Sequence, residues 1–403
     1  MPAVSVEKAK AVLSEFVLVD KETNIDRIVL GSENYTKFVN EFWTAKQRQA
    51  NSIHEISYRA CYKPQLPRFF IDIFTKEGDV IYDPFAGRGT TLVEAALMGR
   101  NIVCNDVNPL SAILTKPRLK IPSIDEISNR LDEIAFEPLE ADIDLSMFFD
   151  KKTEYEVVSL KNKLVNSDVD NWIRMVSTNR LTGHSAGFFS GYTLPPNQAT
   201  SQKSQKSIND RLGIVPPYKN TKEIILKKSK NLLRNMNSQL RNNLRKISSS
   251  AIFSNLDSRR TSHISDSSIN LTVTSPPFLN IVRYADDNWL RCWFNDIDVS
   301  EVESKISLCR TVKSWSRLMT SVFDELYRVT VPGGWVAFEV GEVNNGKIKL
   351  DENVVPLGLD SGFICAGIMV NSQDFTKTSN IWGISNMKTG TNTNRIVLFH
   401  KPK

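Results

Sequence analysis

From Leu66 onward the order of apolar and polar residues alternates between two periods. LPRFFIDIF places its apolar side chains at helical spacing, and Lys76-Glu77-Gly78-Asp79 is a turn. VIYD then reads as a short apolar strand, LVEAALM as a helix closed by Gly99, and NIVCND as a second strand. Strand, helix and strand with tight connections predict a parallel β-α-β unit. The pattern resumes near residue 251. AIFSNLDSR and SINLTVTSPP read as strands, SWSRLMTSVFDELYRV as a helix, and WVAFEV as a strand after the turn Pro332-Gly333-Gly334. FICAGIMV and NRIVLFHK end the pattern as an antiparallel pair. The expected fold is a doubly wound α/β sheet with a terminal antiparallel hairpin, and residues 1–50 are expected to be a helical segment.

Two stretches of core, 51–120 and 251–403, are thus separated by a mostly helical insertion, 121–250. Charge follows this division. Residues 201–250 hold twelve Lys/Arg against two acids, and residues 121–160 hold three against eleven, in a chain whose net charge is only +6. The segment TKEIILKKSKNLLRNMNSQLRNNLRK is expected to be one basic helix. Leu233, Met236, Leu240 and Leu244 form its apolar stripe, and Arg234, Arg241 and Arg245 share another face. Such a run fits a polyanion surface, and a solvated helix face accounts for it equally well.

The composition is that of a soluble globular protein, with 41% hydrophobic residues and no apolar run long enough for a membrane helix. The N-terminus does not read as a signal peptide. Five scattered cysteines without a CxxC pair suggest free thiols in a reducing cytoplasm, and four histidines without ligand spacing predict no metal site.

Two strings carry chemistry. DPFAGRGTT runs from Asp83 to Thr91 between a strand and a helix, and Gly87 and Gly89 allow a sharp turn and close approach to a ligand. A nicotinamide-type fingerprint would place a third glycine where Leu92 stands, and an acid ending its strand would repel a pyrophosphate. Asp83 instead suits a ligand bearing an ammonium and a sulfonium, as S-adenosylmethionine does. Asp106 ends the next strand, where a carboxylate can accept both ribose hydroxyls.

The second string is Ser275-Pro276-Pro277-Phe278. Each proline holds its predecessor extended and donates no hydrogen bond, so the Pro276 carbonyl stays outside the ladder beside the Ser275 hydroxyl. Those two oxygens can accept both N–H groups of an exocyclic amine, and the Phe278 ring can stack on a flipped base.

These strings resemble the DNA amino-methyltransferases that make N4-methylcytosine or N6-methyladenine. DPFAGRGTT, with Asp83, Pro84, Phe85, Gly87, Gly89, Thr90 and Thr91, looks like the cofactor loop of that family. SYRACYKPQL, with Tyr58, looks like the segment completing the methionine end of the pocket, and departs from the common form at Arg59, Cys61 and Lys63. NDVNPLS supplies the ribose acid Asp106, and LDSR places Asp257 where an acid would face the adenine.

The resemblance implies a class I methyltransferase fold, S-adenosylmethionine as cofactor, and a double-stranded DNA substrate in a prokaryotic restriction–modification setting with a cognate endonuclease. Serine at the head of the catalytic string is typical of cytosine-N4 enzymes. Adenine-N6 specificity, an RNA amine and a catalytically silent DNA-binding subunit are the rival readings. The insertion is the expected target-recognition region, with Arg234, Arg241 and Arg245 on phosphates and Asn197 and Gln198 at base edges, and Asn179 and Arg180 as further candidates. Arg283, Tyr284, Asp287, Asn288 and Arg291 suit either the base pocket or a plain surface helix, and Trp382 offers a second stacking ring.

Overall fold

The computed structural model describes residues 4–403 apart from 19, 44–49, 59–60, 184, 194–199, 278–283, 307–308, 344–347 and 373–392. Its main sheet has nine strands. In chain order they are β1 (Asn24–Leu30), β2 (Glu33–Asn40), β3 (Val80–Asp83), β4 (Asn101–Asn105), β5 (Ile252–Ser254), β6 (Ile269–Thr274), β7 (Thr330–Val340), β8 (Ile364–Ser372) and β9 (Thr393–His400). They lie side by side as β1-β2-β8-β9-β7-β6-β3-β4-β5. β3 to β7 run parallel, and β9 lies antiparallel between β7 and β8. From β3 the chain winds outward through β4 to β5, then returns to β6 on the other side of β3. That reversal opens a crevice at the carboxyl ends of the central strands.

The central strands are buried along most of their length because helices cover both faces. On one face lie α1 (Val6–Ser14), α2 (Gln65–Phe74), α3 (Thr90–Leu97) and α4 (Leu110–Thr115). Above them lie the insertion helices α5 (Ile124–Glu133), α6 (Lys151–Lys163), α7 (Asp168–Arg180), α8 (Gln202–Leu212), α9 (Thr221–Leu233) and α10 (Ser238–Ser248). One apolar cluster joins this face, running from Phe70 and Leu92 through Trp172 and Leu244 to Leu271. After β6 come α11 (Tyr284–Phe294), α12 (Val299–Lys305), α13 (Val312–Val329) and α14 (Leu350–Asp360). The last two pack Phe323 and Val354 against Phe338 and Phe399 on the opposite face.

Three expectations need correction. Residues 1–50 are not a helical segment: beyond α1 they form the β1–β2 hairpin, turning at Gly31, whose φ is +65°. β2 continues the sheet in parallel with β8, setting the buried Phe38 beside Met369. Pro332-Gly333-Gly334 is not a turn before a strand but a bulge inside β7, which pairs with β6 at both Thr330 and Trp335. The basic segment is two helices, because Asn237 accepts a hydrogen bond from Leu240 N at 2.9 Å and caps a new start. Arg234 thus follows α9, while Arg241 and Arg245 belong to α10.

Candidate active site

A cleft opens at the carboxyl ends of β3, β4 and β6. Its walls bring together Tyr58, Phe85, Gly87, Thr90, Asp106, Asp257, Ser275 and Pro277 from five separate stretches of sequence.

The cofactor loop is shaped by two left-handed glycines. Gly87 (φ +52°) turns its N–H onto Asp106 Oδ2 at 2.8 Å, while Asn108 N donates to Oδ1 at 2.9 Å. Each oxygen keeps a lone pair for a ligand hydroxyl. Burial pushes the Asp106 carboxyl up to about 6. Gly89 (φ +71°) packs so closely that an added Cβ would meet Thr115 Oγ1 at 2.1 Å. Asp257 is clasped by its neighbour Arg259, whose backbone and guanidinium hold its carboxyl below the usual range.

Asp83 has a different place from the one expected. It is fully buried beneath the cleft and accepts from Tyr62 Oη (2.9 Å), Thr274 Oγ1 (2.6 Å) and Phe85 N (3.1 Å). Burial pushes its carboxyl up to about 7. It therefore ties the cofactor loop to the catalytic strand, and only Tyr62 of its partners' side chains reaches the cleft. Thr91 works with it, donating to the Val273 carbonyl at 3.0 Å. Pro84 lies behind the loop, its carbonyl accepting from Ser258 Oγ at 2.7 Å.

At the Ser-Pro-Pro string, the Ser275 hydroxyl lies near the carboxylate of Glu339 on β7 and favours its ionised form. Glu339 is buried, also accepts from Asn394 Nδ2 at 3.0 Å, and has its carboxyl raised by desolvation. The Pro277 carbonyl accepts from Trp315 Nε1 of α13 at 3.0 Å. Among the described residues none donates to the Pro276 carbonyl. Phe278 and Arg283 fall outside the described residues, as do Asn197, Gln198 and Trp382.

The recognition candidates are dispersed. Arg234 pairs with Glu55. Arg241 reaches the Ile121 carbonyl at 3.5 Å, and Asn243 and Lys246 tie α10 to Leu97 and Glu77. Those contacts put α10, with Arg245, at the amino ends of β3 and β4, the end of the sheet away from the cleft. Asn179 and Arg291 are buried and both donate to the Ser57 carbonyl, at 2.9 and 3.2 Å. Arg180 stacks on Phe188, 4.0 Å from the ring centroid. Asp287 and Asn288 are buried in α11 as well, and Asn288 Oδ1 accepts from Arg291 Nη1 at 2.8 Å, so Asn179 and Arg291 brace the Tyr58 segment.

Sequence reasoning missed Tyr62, Arg88, Leu318, Val322 and Glu339. The first two stand inside segments already singled out. The others read only as ordinary helix and strand positions, since nothing local shows which core face borders the cleft.

Acids lie beside the loop at Asp106 and Asp257, apolar walls at Phe85, Leu318 and Val322, and a guanidinium at Arg88. These residues fit a ligand with ribose hydroxyls, an aromatic base and a charged amino-acid tail. With the sheet order, they give a class I methyltransferase fold whose cleft fits S-adenosylmethionine. A family model described as DNA methylase matches residues 7–114.

Type II methyltransferase M.MjaII of Methanocaldococcus jannaschii is 31% identical over 88 residues, 22% of this chain and 17% of that protein. Type II methyltransferase M.BsoBI of Geobacillus stearothermophilus is 34% identical over 103 residues, 23% of this chain and 20% of that protein. The tRNA (guanine(10)-N2)-dimethyltransferase of Methanocaldococcus jannaschii is 25% identical over 128 residues, 28% of this chain and 36% of that protein. The chain thus spans between a sixth and about a third of the length of these three relatives.

Proposed function

We propose that this protein methylates the exocyclic amine of a base in double-stranded DNA, cytosine at N4, within a short recognition sequence that a cognate endonuclease would also read. The observation that carries the proposal is the Ser275 hydroxyl in the cleft wall, next in sequence to the Pro276 carbonyl, to which no described residue donates. S-adenosylmethionine supplies the methyl group as an electrophile when bound. Tyr58, Phe85, Gly87, Thr90, Asp106 and Asp257 would hold it.

The amine's two N–H groups bond to Ser275 Oγ and the Pro276 carbonyl, which turns its lone pair away from the ring plane toward the methyl group. Phe278 would stack on the flipped base. No nucleophile from the protein is required. On taking the methyl group, whose bond to sulfur would break to leave a neutral thioether, the amine would become acidic; its proton would pass to Ser275 Oγ while the serine's own proton passes to Glu339. A carboxyl raised by burial is suited to receive it.

The type II methyltransferase relatives support DNA as the substrate, and serine heading the string supports cytosine. The tRNA dimethyltransferase match favours one second reading, an amine on RNA. Incubation with DNA or RNA and labelled cofactor, digestion to nucleosides and mass spectrometry tests all of this. N4-methylcytosine is expected. N6-methyladenine overturns the base assignment, a methylated RNA base overturns DNA, and bound cofactor without any product supports a silent subunit. The restriction–modification role, with its prokaryotic cytoplasmic setting, rests on the same relatives. Among the described residues no helix is long and apolar enough to cross a membrane.

A further inference from the structure

We infer that the guanidinium of Arg88 takes the carboxylate at the methionine end of the cofactor, an inference that rests on S-adenosylmethionine being the ligand of the cleft. Arg88 stands between the two left-handed glycines and lines the cleft. Its guanidinium is held in place from behind. Nε donates to Thr90 Oγ1 at 3.1 Å, Nη1 to the Ile56 carbonyl at 2.6 Å, and Nη2 to the Tyr62 carbonyl at 3.4 Å. These bonds use three of five N–H groups and leave two for a ligand.

All three partners are neutral, and among the described residues no carboxylate pairs with Arg88. Arg118, fully buried behind it, likewise meets only carbonyls: Leu114 O at 2.8 Å, Ile53 O at 3.5 Å and that of Arg88 itself. Burial and the charge of Arg88 together lower the Arg118 pKa to about 9. The fields of Arg88, Arg118 and Arg291 all act on Cys61, which shares the cleft wall.

The nearby acids are engaged elsewhere. Glu94 bonds His54 Nε2 at 2.7 Å and Arg68 Nη1 at 2.9 Å, and Asp83 is closed beneath Tyr62. Arg118 is fully buried and Arg88 half-buried, and neither has a carboxylate partner among the described residues; leaving such charge uncompensated is costly, so this end of the cleft is built to receive an anion. Asp106 and Asp257 occupy the ribose and adenine end, which leaves the amino-acid tail for Arg88. The planar fork of a guanidinium matches a carboxylate through two parallel hydrogen bonds.

Calorimetry with Arg88→Gln separates this role from a structural one. The variant is expected to bind S-adenosylhomocysteine, which keeps the carboxylate, roughly tenfold or more weakly. It is expected to bind 5′-methylthioadenosine, which lacks the whole tail, as the parent does. Equal losses for both ligands, or none for either, overturn the inference. The unsubstituted protein gives an independent measurement: decarboxylated S-adenosylmethionine should bind about tenfold or more weakly than S-adenosylmethionine itself, and equal affinity overturns the inference. If the unsubstituted protein binds neither S-adenosylmethionine nor S-adenosylhomocysteine, the cofactor assignment falls and takes this role with it.

Discussion

Replacing Glu339 with glutamine tests the proton path at the catalytic serine. The two side chains have the same shape, and the glutamine oxygen can still accept from Asn394 Nδ2, which lies 3.0 Å from the carboxylate. Its amide nitrogen, however, would donate to Ser275 Oγ rather than accept from it. One lone pair of the serine is then engaged, and no group remains to take its proton. General-base assistance contributes about 10²–10⁴ in rate, so kcat should fall on the order of a hundredfold while cofactor affinity stays unchanged.

The pH profile sharpens the test. Desolvation raises the Glu339 carboxyl, and the ionised form is the acceptor. In the parent, kcat should therefore fall as pH drops through that raised value. The glutamine variant should lose this acid limb, giving a low, flat kcat. Asp106 also titrates high, but it acts through cofactor binding and should appear in kcat/KM rather than in saturated kcat. Single-turnover rates across pH 5–9 would decide the matter. A folded variant with parental kcat and an intact acid limb would refute the relay and reduce Glu339 to a support for Ser275.

Three other outcomes are expected. Asp106→Ala should weaken cofactor binding tenfold or more, since charged hydrogen bonds contribute about 1.5–3 kcal/mol each. With that carboxyl pushed up to about 6, parental affinity should decline as pH falls below 6, and calorimetry at several pH values reads both effects. Changing Arg234, Arg241 and Arg245 together to glutamine should leave the salt dependence of DNA binding nearly unaltered, because α10 lies at the far end of the sheet from the cleft and Arg234 is paired with Glu55. A slope reduced by about 0.9 per residue would return phosphate contacts to that helix. Gly89→Ala should destabilise the fold by about 3 kcal/mol or more, through the left-handed backbone and the contact with Thr115. A chemical-denaturation midpoint near the parent's would contradict that packing.

Much of the core was legible in the sequence because its information is local. VIYD, INLTVT and WVAFEV are short runs rich in β-branched and aromatic residues, as strands covered on both faces tend to be, and the amphipathic period of α13 matches its buried Trp315, Met319, Phe323 and Leu326. The β1–β2 hairpin was missed because its partner is distant. Ile25 and Val29 are largely exposed at the sheet edge, so burial does not impose a clean alternation, and pairing with β8 spans more than 300 residues. The break in the basic helix was visible in hindsight, since Asn235 and Asn237 flank Met236 and asparagine favours a helix start.

The site divides similarly. The glycine loop, Asp106 and the Ser-Pro-Pro string carry their chemistry in short spacing. The inward turn of Asp83 and the contact between Ser275 and Glu339 depend on which strands become neighbours, and no local pattern encodes that.

Asp83 and Thr274 are bonded across a sequence separation of 191 residues. On a ribosome adding about 5–20 residues per second, that gap is roughly 10–40 s of synthesis. During this interval the glycine loop exists without the strand that anchors it, and the edge of β3 that will meet β6 is bare. The growing chain should therefore be unable to retain its cofactor until the second half emerges. A nascent chain arrested before Ile269 would give ligand no protection against proteolysis, whereas one released at full length would.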